Sequence, residues 1–199
     1  MLQSLKINDL FWTIQGEGRN AGRRSLFLRL PFCNLQCPWC DTSFNTFKEY
    51  ALEDFLKFTR QESSRLCVVT GGEPTKNKQL PEIVNLLKDE GFEVACESNG
   101  TYSPYERIDW LTVSPKSFQE IPYFVHEDAF KKASEFKYVV DAAFDFSILD
   151  RHDLNDGRLY YLSPEFGDMK GSIEKIINYM IERPLWKLSL QTHKWIGVP

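Results

Sequence analysis

The chain has 199 residues, 42% of them hydrophobic and 14% aromatic, which suits one globular domain burying roughly 70% of the surface its unfolded form exposes. Its 24 basic and 28 acidic residues leave a net charge of −4, which excludes a broad positive field toward nucleic acid or anionic lipid and points to a small molecule or a protein as partner. No apolar run approaches the roughly 20 residues that cross a bilayer, and the opening "MLQSLKINDLFW" has neither a basic start nor a long apolar core, so a cytoplasmic protein that meets no membrane is expected.

In chain order, short β-rich runs occur at 25–30 ("SLFLRL"), 65–69, 92–97, 110–113, 136–140, 158–162 and 185–190. Helical periodicity, with apolar residues near i, i+3 and i+4, occurs at 52–61, 80–90, 127–134 and 171–181. Alternation of the two predicts βαβ units and an α/β fold with a parallel sheet, either a doubly wound layer or an incomplete barrel. No linker or low-complexity tract divides the chain, so 1–199 reads as one domain. Polar stretches bearing Gly or Pro follow nearly every strand: the cysteine loop, "TGGEP" at 70–74, "SNGT" at 98–101, "SPK" at 114–116, "SPEFGD" at 163–168 and "QTHK" at 191–194. In parallel α/β proteins the carboxyl edge is where sites are built, so one composite site is expected there. Each loop alone is equally compatible with a simple turn into the next helix.

The cysteine loop, "PFCNLQCPWCDTSFNT" at 31–46, holds three of the five cysteines, Cys33, Cys37 and Cys40. The other two, Cys67 and Cys96, sit in apolar strand-like runs, and the odd total argues for a reducing compartment rather than a disulfide framework. Pro31 and Pro38 oppose a regular helix, so a loop wrapped around a metal centre is expected. Three thiolates can hold three irons of a 4Fe-4S cluster and leave the fourth open. A zinc site is the alternative; it needs a fourth ligand from Cys67, Cys96 or a histidine.

The spacing Cys-x3-Cys-x-aromatic-Cys, with Trp39 as the aromatic and "TGGEP" after the next strand, resembles the radical S-adenosylmethionine superfamily. That resemblance implies a 4Fe-4S cluster on the three cysteines, S-adenosylmethionine on the open iron, and a 5'-deoxyadenosyl radical that abstracts a substrate hydrogen. "FWTIQGEG" at 11–18, "FLRLPFCNLQCPWCDT" at 27–42, "ESNGT", "SPK" and "LQTHKWIGVP" together resemble the 7-carboxy-7-deazaguanine synthase family over nearly the whole chain. Members convert 6-carboxy-5,6,7,8-tetrahydropterin to 7-carboxy-7-deazaguanine with loss of ammonia, on the way to queuosine. The resemblance implies a partial parallel β/α barrel of about six strands with a reduced helix set, a homodimer, and an electron donor such as a flavodoxin or ferredoxin.

By the same resemblance, Trp39, Cys40, Asp41, Gly72, Glu73, Ser98, Ser114, Pro115, Lys116, Ser163, Pro164, Glu165 and Phe166 hold S-adenosylmethionine, with Glu73 near its amino group. Ile14, Gln15, Gly16, Glu17, Arg29, Thr70, His193 and Pro199 meet the substrate, and Thr42 binds Mg2+. Physical reasons accompany several of these. Arg29 in the apolar run "LFLRL" needs an anion, either the substrate carboxylate or a structural Asp or Glu. Gln15 and Glu17 offer an amide and a carboxylate to a pterin edge, although "GEG" alone is a turn. Mg2+ takes oxygen ligands and few protein contacts, so one threonine suffices, unless Thr42 merely caps the next turn. Glycines at 71 and 72 let the backbone approach the methionyl end, or make an ordinary turn. His193 alone reads equally as a structural hydrogen bonder. The segment 191–199 is expected to fold over the pocket, docked by Trp195, Ile196 and Val198.

Two departures from the family pattern stand out. "RLPFC" occupies the place where a small residue and Gly commonly precede the first cysteine, and Ser98 stands where Thr is usual. Two other readings use the same cysteines: an activase that installs a glycyl radical on a partner protein, and a zinc-stapled binding module.

Overall fold

The structure, a computed structural model, describes residues 4–38, 40, 43–118 and 121–199. In chain order its elements are β1 (Ser4–Ile7), β2 (Asp9–Ile14), β3 (Arg24–Leu30), β4 (Lys48–Ala51), α1 (Leu52–Thr59), β5 (Leu66–Gly71), α2 (Leu80–Asp89), β6 (Glu93–Ser98), β7 (Trp110–Val113), β8 (Ser117–Phe118), β9 (Ile121–Pro122), α3 (Glu127–Lys132), β10 (Glu135–Val140), β11 (Leu159–Pro164), α4 (Met169–Met180), β12 (Trp186–Leu188) and α5 (Thr192–Ile196). Every strand and helix expected from periodicity is present. The main sheet has eight strands rather than about six, in the order β12-β11-β10-β7-β6-β5-β3-β2. All neighbours are parallel except β2, which runs antiparallel to β3 with Asp9 opposite Arg29. Two strands escaped the sequence reading at the start of the chain. β1 pairs with β4 from Ser4 opposite Ala51, a contact too distant in sequence to leave a hairpin signal.

Alternation along the strands sends one face to the helices and the other inward. Outward go Leu26, Leu28, Leu30, Cys67, Val69, Val94, Cys96, Phe136, Tyr138 and Leu162, packed with Phe55 of α1, Ile83 and Leu87 of α2 and Ile176 of α4 in one buried core. Cys67 and Cys96 are therefore core residues, and burial pushes both thiols well up. Inward, a small apolar plug of Leu66, Val68, Ala95, Phe27 and Trp110 fills the amino-terminal end of the strands.

The sheet is curled. Glu17, just after β2, forms an ion pair with Lys137 of β10, yet five strand spacings separate β2 from β10 in the sheet order, about 24 Å if the sheet were flat. A lysine and a glutamate cannot span that distance unless the two ends approach each other. The gap between edge strands β2 and β12 is bridged by hydrogen bonds: Gly18 N donates to Ser189 Oγ (3.0 Å) and Thr192 N to Gly16 O (3.2 Å). This is the partial barrel implied by the family. Among the described residues, no helix is long and apolar enough to cross a membrane.

Candidate active site

At the carboxyl edge the loops converge on one cavity. Its walls include Cys33, Cys37 and Cys40, then Thr70, Gly71, Gly72 and Glu73 from the end of β5, Ser98 at the end of β6, Ser114 and Lys116 after β7, Ser163 to Phe166 from the end of β11, and Glu17. Most of the expected site residues thus share one space. Trp39, Asp41 and Thr42 lie outside the described residues. Ile14, Gln15, Gly16, Arg29, Pro115, His193 and Pro199 do not form the cavity wall.

The cysteine loop is zipped to the glycine segment by main-chain bonds: Gly72 N donates to Leu30 O (2.8 Å) and Glu73 N to Phe32 O (2.9 Å). A Cβ on Gly72 would overlap Phe32 O, and Gly71 has φ +111 with its Cβ direction filled by the Leu30 backbone. Glycine is required here first for the loop to approach β5, a reason that sequence reading assigned to the cofactor. Phe32 has φ +66, the left-handed region that favours glycine; this is the position where the family commonly carries Gly. The far side of the loop is pinned by Asn8, whose Nδ2 donates to Ser43 O and Thr46 O, both at 2.8 Å.

None of the three cysteines is in a disulfide. Burial raises Cys33 and Cys37 above the ordinary thiol value. Glu73, Cys37 and Cys40 push Cys33 further up, and Lys116 opposes the rise at Cys37. Leu35 N donates to Cys33 Sγ at 3.4 Å. Thiols that oppose one another's ionisation suit a polycationic group that takes one thiolate per iron. Among the described residues no three His, Cys, Asp or Glu side chains converge to hold a single ion.

Glu73, on the cavity wall, is also bonded into the fold. It is 1% exposed, and its carboxylate accepts from Thr75 N (3.0 Å), Thr75 Oγ1 (2.6 Å), Ser98 Oγ (2.7 Å) and Asn99 N (2.7 Å). The side chain locks the ends of β5 and β6 together. Burial raises its carboxyl against those donors. Ser98 supplies the hydroxyl that Thr usually would, and its Oγ also accepts from Gly100 N at 2.9 Å.

Polar groups line the inner face below. Gln15 Nε2 donates to Glu97 Oε1 (2.8 Å) and Gln15 Oε1 accepts from Glu17 N (3.1 Å). Glu17 also accepts from Lys137 and, at 2.9 Å, from Gln191 Nε2. Burial alone would raise Glu17, but Lys137 holds it below the ordinary carboxylate value. Lys116 is pushed down to about 8 by burial and by repulsion from Lys137; its Nζ donates to Ser114 O at 2.7 Å and to Ser114 Oγ. Arg29 is beside Thr70 in the sheet register, with its guanidinium 3.7 Å from Asp9 and over the Phe11 ring at 5.0 Å. Sequence reading missed Glu97, Lys137 and Gln191. The first two carried the signal that singled out Arg29, a charge inside an apolar strand run ("FEVACE", "FKYVV").

The tail docks by polar contacts, contrary to the expectation of apolar ones: Trp195 is 67% and Ile196 58% exposed. Besides the bonds of Gln191 and Thr192, Thr13 Oγ1 donates to Pro199 O at 2.8 Å, Lys194 Nζ sits 4.6 Å over the Phe166 ring, and His193 fills the space a Cβ on Gly16 would occupy.

A family model of the radical SAM superfamily matches residues 28–146. A 7-carboxy-7-deazaguanine synthase of Haemophilus influenzae is 36% identical over 98% of this chain and 94% of that protein. One of Neisseria meningitidis is 34% identical over 97% and 93%. The crystal structure of QueE from Escherichia coli superposes with a TM-score of 0.78 at 30% identity, covering 94% of this chain and 93% of that one. SuiB of Streptococcus suis, solved with S-adenosylmethionine bound, has a TM-score of 0.51 at 13% identity over 82% of this chain and 48% of that one, a likeness of fold. By sequence over nearly its full length and by the convergence of cysteine loop and glycine segment on one cavity, the chain belongs to the 7-carboxy-7-deazaguanine synthase family of radical S-adenosylmethionine enzymes.

Proposed function

We propose that the protein converts 6-carboxy-5,6,7,8-tetrahydropterin to 7-carboxy-7-deazaguanine with loss of ammonia. The observation that carries this reading is the cavity whose wall brings the three reduced thiols together with Gly72, Glu17 and Thr70, in a chain 36% identical to a synthase of that name. Cys33, Cys37 and Cys40 would hold the 4Fe-4S cluster, and Gly72, Ser98, Ser114, Lys116 and the segment 163–166 would hold S-adenosylmethionine. When bound, these groups supply a carbon radical that takes a hydrogen from the substrate. The protein's own work is orientation and exclusion of water: Glu17 and Thr70 on the cavity wall present acceptors and donors to the heterocycle, Gln15 holds the Glu17 main chain through its amide oxygen, Arg29, opposite Thr70 in the sheet register, would supply the cation for the carboxylate, and Lys194 over Phe166 narrows the rim.

The reading extends, through the family resemblance, to one functional domain over 1–199, a cytoplasmic homodimer, a flavodoxin or ferredoxin as electron donor, and Mg2+ at Thr42. Thr42 lies outside the described residues, so no step is assigned to that ion.

Anaerobic reconstitution with iron and sulfide, then incubation with S-adenosylmethionine, a reductant and the carboxytetrahydropterin, tests the reading. About four irons per chain, a brown protein and 7-carboxy-7-deazaguanine are expected, with iron and product both lost in Cys40→Ala. A cluster-loaded protein that forms no pterin-derived product would overturn it.

A further inference from the structure

Lys137 stands between Phe136 and Tyr138, both fully buried on the outer face of β10, and turns the other way, into the cavity. Its ammonium meets the Glu17 carboxylate with the two side chains only 8% and 11% exposed. Such a pair is a poor stabilising device: replacing a buried ion pair by apolar groups is often neutral or favourable. Its placement suggests another use. It ties the loop after β2 to a strand on the far side of the curled sheet, and it meets the residue read as a pterin contact.

The surrounding bonds form a continuous polar arc. Gln191 Nε2 donates to Glu17 Oε1, Glu17 N donates to Gln15 Oε1, and Gln15 Nε2 donates to Glu97 Oε1. Two bonded partners leave the Glu17 carboxylate with unused lone pairs, since a carboxylate accepts at about four sites. We propose that Lys137 is a substrate-positioning residue: paired with Glu17 across the open sheet, it keeps that side chain an ionised acceptor aimed at the N–H donors of a bound heterocycle. The inference rests on the pterin reading of the cavity. A protonated Glu17 would present a hydrogen to a substrate edge that also presents hydrogens, and the match would be lost. The other charged groups facing the pair are Glu97 of β6, Glu135 of β10, Lys116 after β7 and His193 of the tail.

The test compares wild type, Lys137→Met, Lys137→Arg and the double variant Lys137→Met/Glu17→Gln at matched iron and sulfide content. Steady-state turnover of the pterin is followed from pH 6.5 to 9, together with thermal unfolding. Lys137→Met is expected to raise KM and lower kcat/KM about 100-fold, the scale of a misplacement of roughly 1 Å. Its kcat/KM should also gain a limb that rises with pH, because Glu17 must now lose a proton. Lys137→Arg, which keeps the charge, should recover most of the loss without that limb. The double variant, with neither charge of the pair left, should regain thermal stability but not kcat/KM; it decides the matter if Lys137→Met does not fold. Wild-type kcat/KM and pH profile in Lys137→Met, or recovery of both stability and turnover in the double variant, would make the pair purely structural and overturn the inference. Absence of product from wild type would instead overturn the pterin reading, and the inference with it.

Discussion

Lys137 and Tyr138 are neighbours in β10 that face opposite sides of the sheet, and the two sides treat buried polarity in opposite ways. Outside, the Tyr138 hydroxyl accepts from Arg151 Nη2 and shares a hydrogen bond with His152 Nε2, each at 2.7 Å. His152 stacks on Phe130 and packs against Phe136, Tyr160 and Trp186. Burial pushes it down to about 4, and Arg151 and Arg158 add repulsion. Inside, Lys137 and Glu17 stay ionised against the same penalty, and Lys137 is driven up, because each finds an opposite charge. The helix-covered face neutralises what it buries, whereas the cavity face pairs it. A neutral hydrogen bond is the cheaper way to hold a core together, and a paired charge is the one that can be directed at a ligand.

The largest expected effect falls on the cavity side. Gly72→Ala places a Cβ against Phe32 O and must push the cysteine loop away from β5. Iron content should fall and product formation should drop about 100-fold, out of proportion to the roughly 1–3 kcal/mol that overpacking costs in stability. Full iron content in this variant would show that the zip does not align the cysteines.

The next effect belongs to the outer side. Between about pH 6.5 and pH 4 the unfolded chain binds a proton at His152 that the folded chain refuses, so stability rises with pH across that window and is lost as pH falls through it. The loss amounts to about 3 kcal/mol when complete. Urea midpoints from pH 4.5 to 7.5 should converge between wild type and His152→Gln as pH falls. Parallel midpoint curves would remove His152 as the source.

The smallest effect sits in the cysteine loop. Phe32→Gly relieves a left-handed φ worth about 1 kcal/mol, but gives up the edge contact with Phe47 at 6.0 Å and frees the unfolded chain. A thermal shift corresponding to less than about 1 kcal/mol, with normal iron content, is expected. Lost iron would mean that the ring, rather than the backbone bonds, orders the loop.

Much of this site can be read in one dimension because its parts are local. Cysteines four and three residues apart, paired glycines after one strand and "SPK" after a later one declare themselves without a fold. Lys137 and Glu97 were readable by the reasoning applied to Arg29, but nothing in the run "FKYVV" names the partner 120 residues away. Gln191 opens the "QTHK" stretch expected at that edge, but nothing in the stretch singled it out. The tail shows the opposite failure: its apolar residues suggested docking, yet Trp195 and Ile196 are exposed while Gln191, Thr192 and Pro199 make the contacts.

By itself the sequence determined the alternation of strands and helices, the three-thiol loop and the need for glycine at 71 and 72, because periodicity, side-chain chemistry and backbone freedom act over a few residues. Only the tertiary structure decided that the sheet curls, that Glu73 ties β5 to β6, and that Lys137 meets Glu17. Those outcomes depend on how eight strands twist and which distant charges that twist brings within reach, and no local preference encodes either.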